Sequence, residues 1–184
     1  MARRLPSSSR NAGIFNYLGK ILCAFSPSEG HLTLAVESIL RDHAFVLGLP
    51  EEQISRLASV ATRVTFAENE IVLNHGEQST AFHLVISGSV AIELRATRYA
   101  VRVQALGPGQ VFGWSALLDH QDSLFQVRAR EQTTALRIPG DILKAICREN
   151  PELGMELFRR TLRVVASRVR ATEERFAEMC GIKL

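Results

Sequence analysis

The sequence predicts a mainly β fold with flanking helices: an antiparallel jelly roll (a double-stranded β-helix) over about 62–138, closed by a long helix over about 151–179. Three observations carry this expectation. Apolar residues alternate with a period of two through the middle of the chain, glycines punctuate the ends of those runs, and helical spacing flanks them on both sides.

Residues 1–30 hold Pro6, the run Ser7–Ser9, Asn11, Gly13 and "SPSEG", the composition of a flexible leader. Within it "GIFNYLGKILCAF" follows Arg3, Arg4 and Arg10 and looks superficially like a signal sequence. Lys20 interrupts it, no small-residue cleavage pattern follows, and the stretch is too short to span a bilayer. A single domain over 31–184 is expected to follow. From His31, the residues Leu34, Ile39 and Leu40 predict a short helix. "PEEQISRLASVA" predicts a second over 51–61, because Pro50, Glu51 and Glu52 suit a helix start and Ile54, Leu57, Ala58 and Ala61 share a face.

The period then changes. "TRVTFA", "EIVL", "AFHLVIS", "SVAIELR", "YAVRVQAL", "LFQVRA" and "TTALRI" read as short strands, and Ser87-Gly88 between the third and fourth is a tight-turn signal. Many short strands with Gly, Pro or Asn at their connections mean a small barrel or jelly roll. After Pro139 helical spacing returns in "GDILKAICREN" and in the long run from Pro151.

The chain of 184 residues is 46% hydrophobic and 22% charged, ordinary for a globular domain, and its net charge of +3 is a weak signal for nucleic acid. Cys23, Cys147 and Cys180 are too scattered for a disulfide framework or zinc knuckle, which favours a reducing cytoplasm. They are also too few for an iron–sulfur cluster. His31, His43, His75, His83 and His120 lack the spacing of a metal site. No nucleophile elbow, P-loop, zinc-protease helix or paired-carboxylate motif occurs, so neither a catalytic residue nor a cofactor is expected.

The order of these pieces, anchored by "FVLGLPEEQISRLA", Gly76 in "NHGEQ", "FHLVISGSV", "LGPGQVFG", "ALL" and "NPELGMELFRR", resembles the cyclic nucleotide-binding domain family from about His43 to Met179. That is the effector domain of catabolite-activator-like regulators and of cyclic-nucleotide-dependent kinases and channels. The resemblance implies a ligand cradle over Phe112, Gly113, Trp114, Ser115 and Ala116, followed by Ser123, Leu124 and Phe125. Phe112, Gly113, Ala116 and Leu117 match the family's pattern. The family's glutamate, which accepts the ribose 2′-hydroxyl, is replaced by Trp114, and its phosphate-binding arginine by Ser123, with Leu124 and Phe125 where small residues stand. Losing both contacts removes about 3–6 kcal/mol, a factor on the order of 10² to 10⁴ in affinity. Arg128 and Arg130 do not replace the missing arginine, since strand parity turns them away from the face of Ser123, Phe125 and Val127. An arginine of the closing helix is the alternative phosphate partner.

Trp114, the only tryptophan, has two readings: a rim indole that stacks on a planar ligand, or a plug that fills the pocket with Leu124 and Phe125. Burial of three large apolar groups favours the plug.

On the closing helix Met155, Phe158, Leu162, Val165, Val169, Thr172, Phe176 and Met179 form a heptad seam, while Leu153, Leu157 and Val164 offer a second face to the roll. The seam predicts a homodimer. Arg159, Arg160, Arg163, Arg168, Arg170 and Arg175, interleaved with glutamates, read as a solvated face with intrahelical ion pairs. The expected function is a non-enzymatic regulatory module that senses a small effector or docks on a partner protein. The alternative is a catabolite-activator-type transcription regulator. Only "CGIKL" follows the helix, too little for a helix-turn-helix, so direct DNA binding is not expected, nor is a membrane span.

Overall fold

The computed structural model describes residues 27–95, 99–118 and 122–182. Helix α1 runs Pro27–Asp42, so the last four residues of the expected leader are helical, and proline is tolerated in a first turn. The leader's first 26 residues, Cys23 among them, lie outside the described residues. Val36 and Leu40, one turn apart, are both buried. Helix α2 runs Glu51–Ala58, three residues shorter than its spacing predicts, and buries Ile54, Leu57 and Ala58. Ser55 Oγ donates to Glu37 Oε1 at 2.7 Å and so ties α2 to α1.

Eight strands follow: β1 Thr62–Phe66, β2 Ile71–Leu73, β3 Ala81–Ser87, β4 Val90–Arg95, β5 Ala100–Leu106, β6 Val111–Phe112, β7 Phe125–Ala129 and β8 Thr133–Pro139. They form two antiparallel sheets, ordered β1-β8-β3-β6 and β2-β7-β4-β5. This is the predicted jelly roll, its strands running from Thr62 to Pro139. The β3–β4 corner requires Gly88: its φ is 78°, and a Cβ there would meet Gln132 O at 2.5 Å.

Period two decides where the core lies. Phe82 and Leu84 of β3 join Leu40, Leu57, Leu136, Leu153 and Leu157 in a cluster between one sheet and the helices. Val85, on the opposite face of the same strand, joins Val90, Ile92, Leu106, Phe112 and Val127 inside the roll. β3 is therefore buried on both faces, and its apolar alternation marks the helix side only.

Helix α3, Gly140–Glu149, and helix α4, Pro151–Met179, complete the order. Asn150 between them accepts a hydrogen bond from Leu153 N–H at 3.0 Å, an N-cap directly ahead of Pro151. Leu153 and Leu157 are buried and Val164 packs on the same cluster, the face of α4 predicted to meet the roll. No helix of the described residues is long and apolar enough to cross a membrane.

Candidate functional site

Phe112 ends β6, and Gly113 turns the chain with φ 76° into a four-residue 3₁₀ turn, Trp114–Leu117. A Cβ at Gly113 would stand 2.3 Å from Ala81 O and 3.0 Å from Ser79 Oγ. The glycine is thus required by the protein's own β3 backbone as well as by the left-handed turn, and not by ligand approach alone. Ser79 Oγ donates to Ala81 O at 3.0 Å and reaches Gly113 O at 3.3 Å, which pins the bend. The 3₁₀ turn closes on itself through Ala116 N–H to Gly113 O and Leu118 N–H to Ser115 O, both 3.0 Å. Its far side lies against the start of α3, where Gly140 leaves room for Ala116.

In front of this bend lies a cavity of about 610 Å³, within the range of small-molecule sites. Gly113, Trp114, Ser115, Ser123, Leu124 and Phe125 all line it, as do Phe112 and residues of β4, β5, β7 and α4. The sequence-predicted cradle residues are therefore brought together, with Ala116 alone turned into the core.

The plug expected from Trp114, Leu124 and Phe125 is not formed. Trp114 is half-buried and packs its ring on the cluster beneath the helices, where apolar partners are already assembled. Leu124 precedes β7 and is 68% exposed. Phe125 packs on the cluster inside the roll. Trp114 and Phe125 found separate apolar partners while Leu124 faces solvent, and the space between them stays open.

Ser123 does not carry the missing charge. Its Oγ donates to Phe125 O at 2.7 Å, a local turn contact. Arg128 points away, as parity predicts: its Nε lies 3.2 Å from Glu93 Oε2 and its guanidinium donates to Asn69 O at 3.0 Å. Among the described residues no group of three His, Cys, Asp or Glu side chains is placed to hold a metal. Cys147 is buried, which raises its thiol pKa, and Cys180 is exposed; neither is in a disulfide.

The cation of this cavity is Arg168 on α4. Its side chain is drawn under the helix, donates to Val111 O, and leaves Nε buried without a partner. Burial pushes its pKa down to about 10, so it stays charged at neutral pH. This corrects the reading of a uniformly solvated basic face. Arg159, Arg160, Arg170 and Arg175 do make the expected intrahelical pairs, with Glu156, Glu156, Glu174 and Glu178 at 2.6–3.0 Å. Arg168 has none. The signal was available in its spacing, since it stands three residues after Val165 and four before Thr172, on the face that meets the cavity.

The family model described as "Cyclic nucleotide-binding domain" matches residues 63–150. These residues belong to the cyclic nucleotide-binding domain family. A solved cyclic nucleotide-binding domain from Methylobacillus flagellatus KT is similar at 17% identity, covering 80% of this chain and 83% of that chain, with a TM-score of 0.67. Also similar is the regulatory subunit of a cAMP-independent protein kinase A from Trypanosoma brucei, in a triple mutant bound to cAMP in the A site. That likeness has 18% identity, covers 83% of this chain and 53% of that chain, and has a TM-score of 0.67. Glutaminase 2 of Bradyrhizobium diazoefficiens is 27% identical over 141 residues, 76% of this chain and 22% of the glutaminase. The chain spans about a fifth of the length of the curated relatives it matches.

Cyclic nucleotide-binding domains are generally regulatory elements. The cavity in front of the glycine bend lies within these matched residues and α4.

Proposed function

We propose that this domain is a non-enzymatic regulatory module that does not respond to cyclic AMP or cyclic GMP at micromolar concentration. One observation supports the reading: Trp114 and Ser123, which the resemblance aligns with the family's ribose- and phosphate-contacting positions, both line an open cavity. The Trypanosoma relative, cAMP-independent by description, supports the reading. There the form bound to cAMP carries a threonine changed to arginine, together with a glutamate and a valine each changed to alanine. Isothermal titration with cyclic AMP and cyclic GMP is the test. The expected dissociation constant is millimolar or beyond measurement, and a micromolar value for either nucleotide refutes the proposal.

The module acts as a homodimer through α4. Met155, Leu162, Phe176 and Met179 are 65–73% exposed, and Phe158 and Val169 are 45% and 51% exposed. A stripe of that length at heptad spacing, left uncovered by the roll, fits a second copy of the same helix. Val165, Val169, Thr172 and Phe176 belong both to this seam and to the cavity wall, so the second copy also covers the cavity's open side. Val169→Glu is expected to give a monomer in sedimentation velocity, since an unpaired charge in an apolar seam is costly. A wild-type protein that sediments as a monomer at high concentration overturns the dimer.

A further inference from the structure

We propose that the cavity beneath α4 binds an apolar organic acid, a mainly hydrocarbon molecule whose single carboxylate pairs with Arg168. The proposal rests on the reading above that cyclic nucleotides are not the ligand, and it names the chemistry that replaces them.

The wall is suited to hydrocarbon. Eleven of the nineteen residues that line the cavity are apolar, and four of these are aromatic: Phe112, Trp114, Phe125 and Phe176. A nucleotide, with its ribose hydroxyls and phosphate, would leave most of its polar groups against such a wall without partners, which is costly. In the 3₁₀ turn the N–H groups of Ala116 and Leu118 are engaged within the turn, which leaves fewer donors for a phosphate.

The charge is suited to one anion. Among the described residues that line the cavity Arg168 is the only basic one, and no carboxylate of the described residues pairs with it. Its Nε–H is buried with no acceptor. The half-buried Arg168 guanidinium has a hydrogen bond to Val111 O but no carboxylate partner, and a bound carboxylate supplies the counter-charge. Asp122 and Glu173 also line the cavity, but both are exposed, and solvent screens them. An apolar acid meets all three conditions together: volume, hydrocarbon wall and a single buried cation.

Trp114 is the only tryptophan and lines the cavity, so its fluorescence reports occupancy directly. The full chain is titrated with straight-chain acids from octanoate to tetradecanoate, below their micelle concentrations, and with dodecan-1-ol. Binding is expected to saturate at one molecule per chain. Affinity should rise about fourfold per added methylene until the cavity is full. Dodecanoate should bind at least about tenfold more tightly than dodecan-1-ol, the worth of one charged hydrogen bond. Arg168→Met should erase that preference while leaving the alcohol's affinity unchanged, and Arg168→Lys should keep it. Val103→Phe, which narrows the cavity from β5, should move the plateau to shorter acids, an effect that binding on the exposed seam would not show. Equal affinity for acid and alcohol in the wild type, no saturable response, or a preference that survives Arg168→Met each overturns the proposal. Because the acid-versus-alcohol comparison uses wild-type protein, a misfolded Arg168→Met leaves the test intact. Micromolar binding of cyclic AMP would refute the parent reading instead; absence of binding by both nucleotide and acid refutes this inference alone.

Discussion

The quadruple variant Trp114→Glu, Ser123→Arg, Leu124→Ala, Phe125→Ala is expected to bind cyclic AMP more tightly than the wild type by a factor on the order of 10² to 10⁴. The estimate comes from two charge-assisted contacts, each worth about 1.5–3 kcal/mol. Geometry supports both positions. Residue 114 follows directly on Gly113, whose left-handed turn aims the next side chain along the cavity's edge. Residue 123 has its backbone fixed on both sides: Gly76 N–H donates to Ser123 O at 2.8 Å, and Ser123 N–H donates to Glu77 O at 2.9 Å. An arginine there starts from a held Cα, and its planar fork loses little entropy on meeting a phosphate.

The same variant carries a cost that must be measured beside its gain. Trp114 packs on the cluster beneath the helices, and removing a half-buried indole forfeits part of about 3 kcal/mol. Circular dichroism and a urea midpoint establish that the roll persists. With the fold confirmed, calorimetry that still shows no cyclic AMP binding means the divergence extends beyond these four positions. The remaining suspects are then the apolar residues of β5 and α4 that close the opposite side, Val103 and Val165 among them.

The parts of this molecule that were legible in sequence are the ones governed by local rules. Strand alternation, the Gly88 corner and the Asn150-Pro151 start of α4 depend on near neighbours, and each falls where its pattern places it. The cradle's residues could be gathered because the resemblance fixes which positions face one another. What each side chain then does there was not legible. Trp114, Leu124 and Phe125 could fill one pocket or serve three separate surroundings, and that choice belongs to tertiary packing. The roll's interior took Phe125, the helix-side core took Trp114, and solvent took Leu124. Arg168 was hidden for a similar reason. In sequence it is one of six arginines on a charged helix, and only its spacing from Val165 and Thr172 separates it from its neighbours. The start of α1 was misread because Ser, Pro and Gly argue for a loop, whereas the first turn of a helix tolerates all three.

Stability is expected to fall on mild acidification, and His83 is the main cause. Its ring lies inside the roll, stacked on Phe112 with centroids 4.5 Å apart and edge-on to Phe66 at 6.0 Å. Burial, reinforced by the positive charge of Arg137, pushes its pKa down from 6.5 to about 4. The folded state therefore holds a neutral ring where the unfolded chain takes up a proton. Above pH 6.5 both states are neutral and the contribution is complete. Between 6.5 and about 4 the unfolded state binds the extra proton, and stability falls by about 1.4 kcal/mol per pH unit, roughly 3 kcal/mol in all. His43 acts in the same direction, because burial also lowers its pKa. Its ring nitrogens contact Val85 O at 3.1 Å and accept from Phe45 N–H at 3.2 Å, so a second proton would forfeit the latter bond. Carboxylates held low by ion pairs, such as Glu156 between Arg159 and Arg160 at about 2, lose their contribution only at lower pH. The variant His83→Phe isolates the histidine, since a phenyl ring keeps the stack on Phe112 and removes the titrating group together with an Nδ1 that has no hydrogen-bond partner. Urea midpoints at pH 7.5 and pH 4.5 should show the wild type losing about 2–3 kcal/mol more than the variant over that interval. Equal losses in the two proteins would mean that His83 is protonated within the roll, and that its interior is more polar than the stack of Phe66, His83 and Phe112 implies.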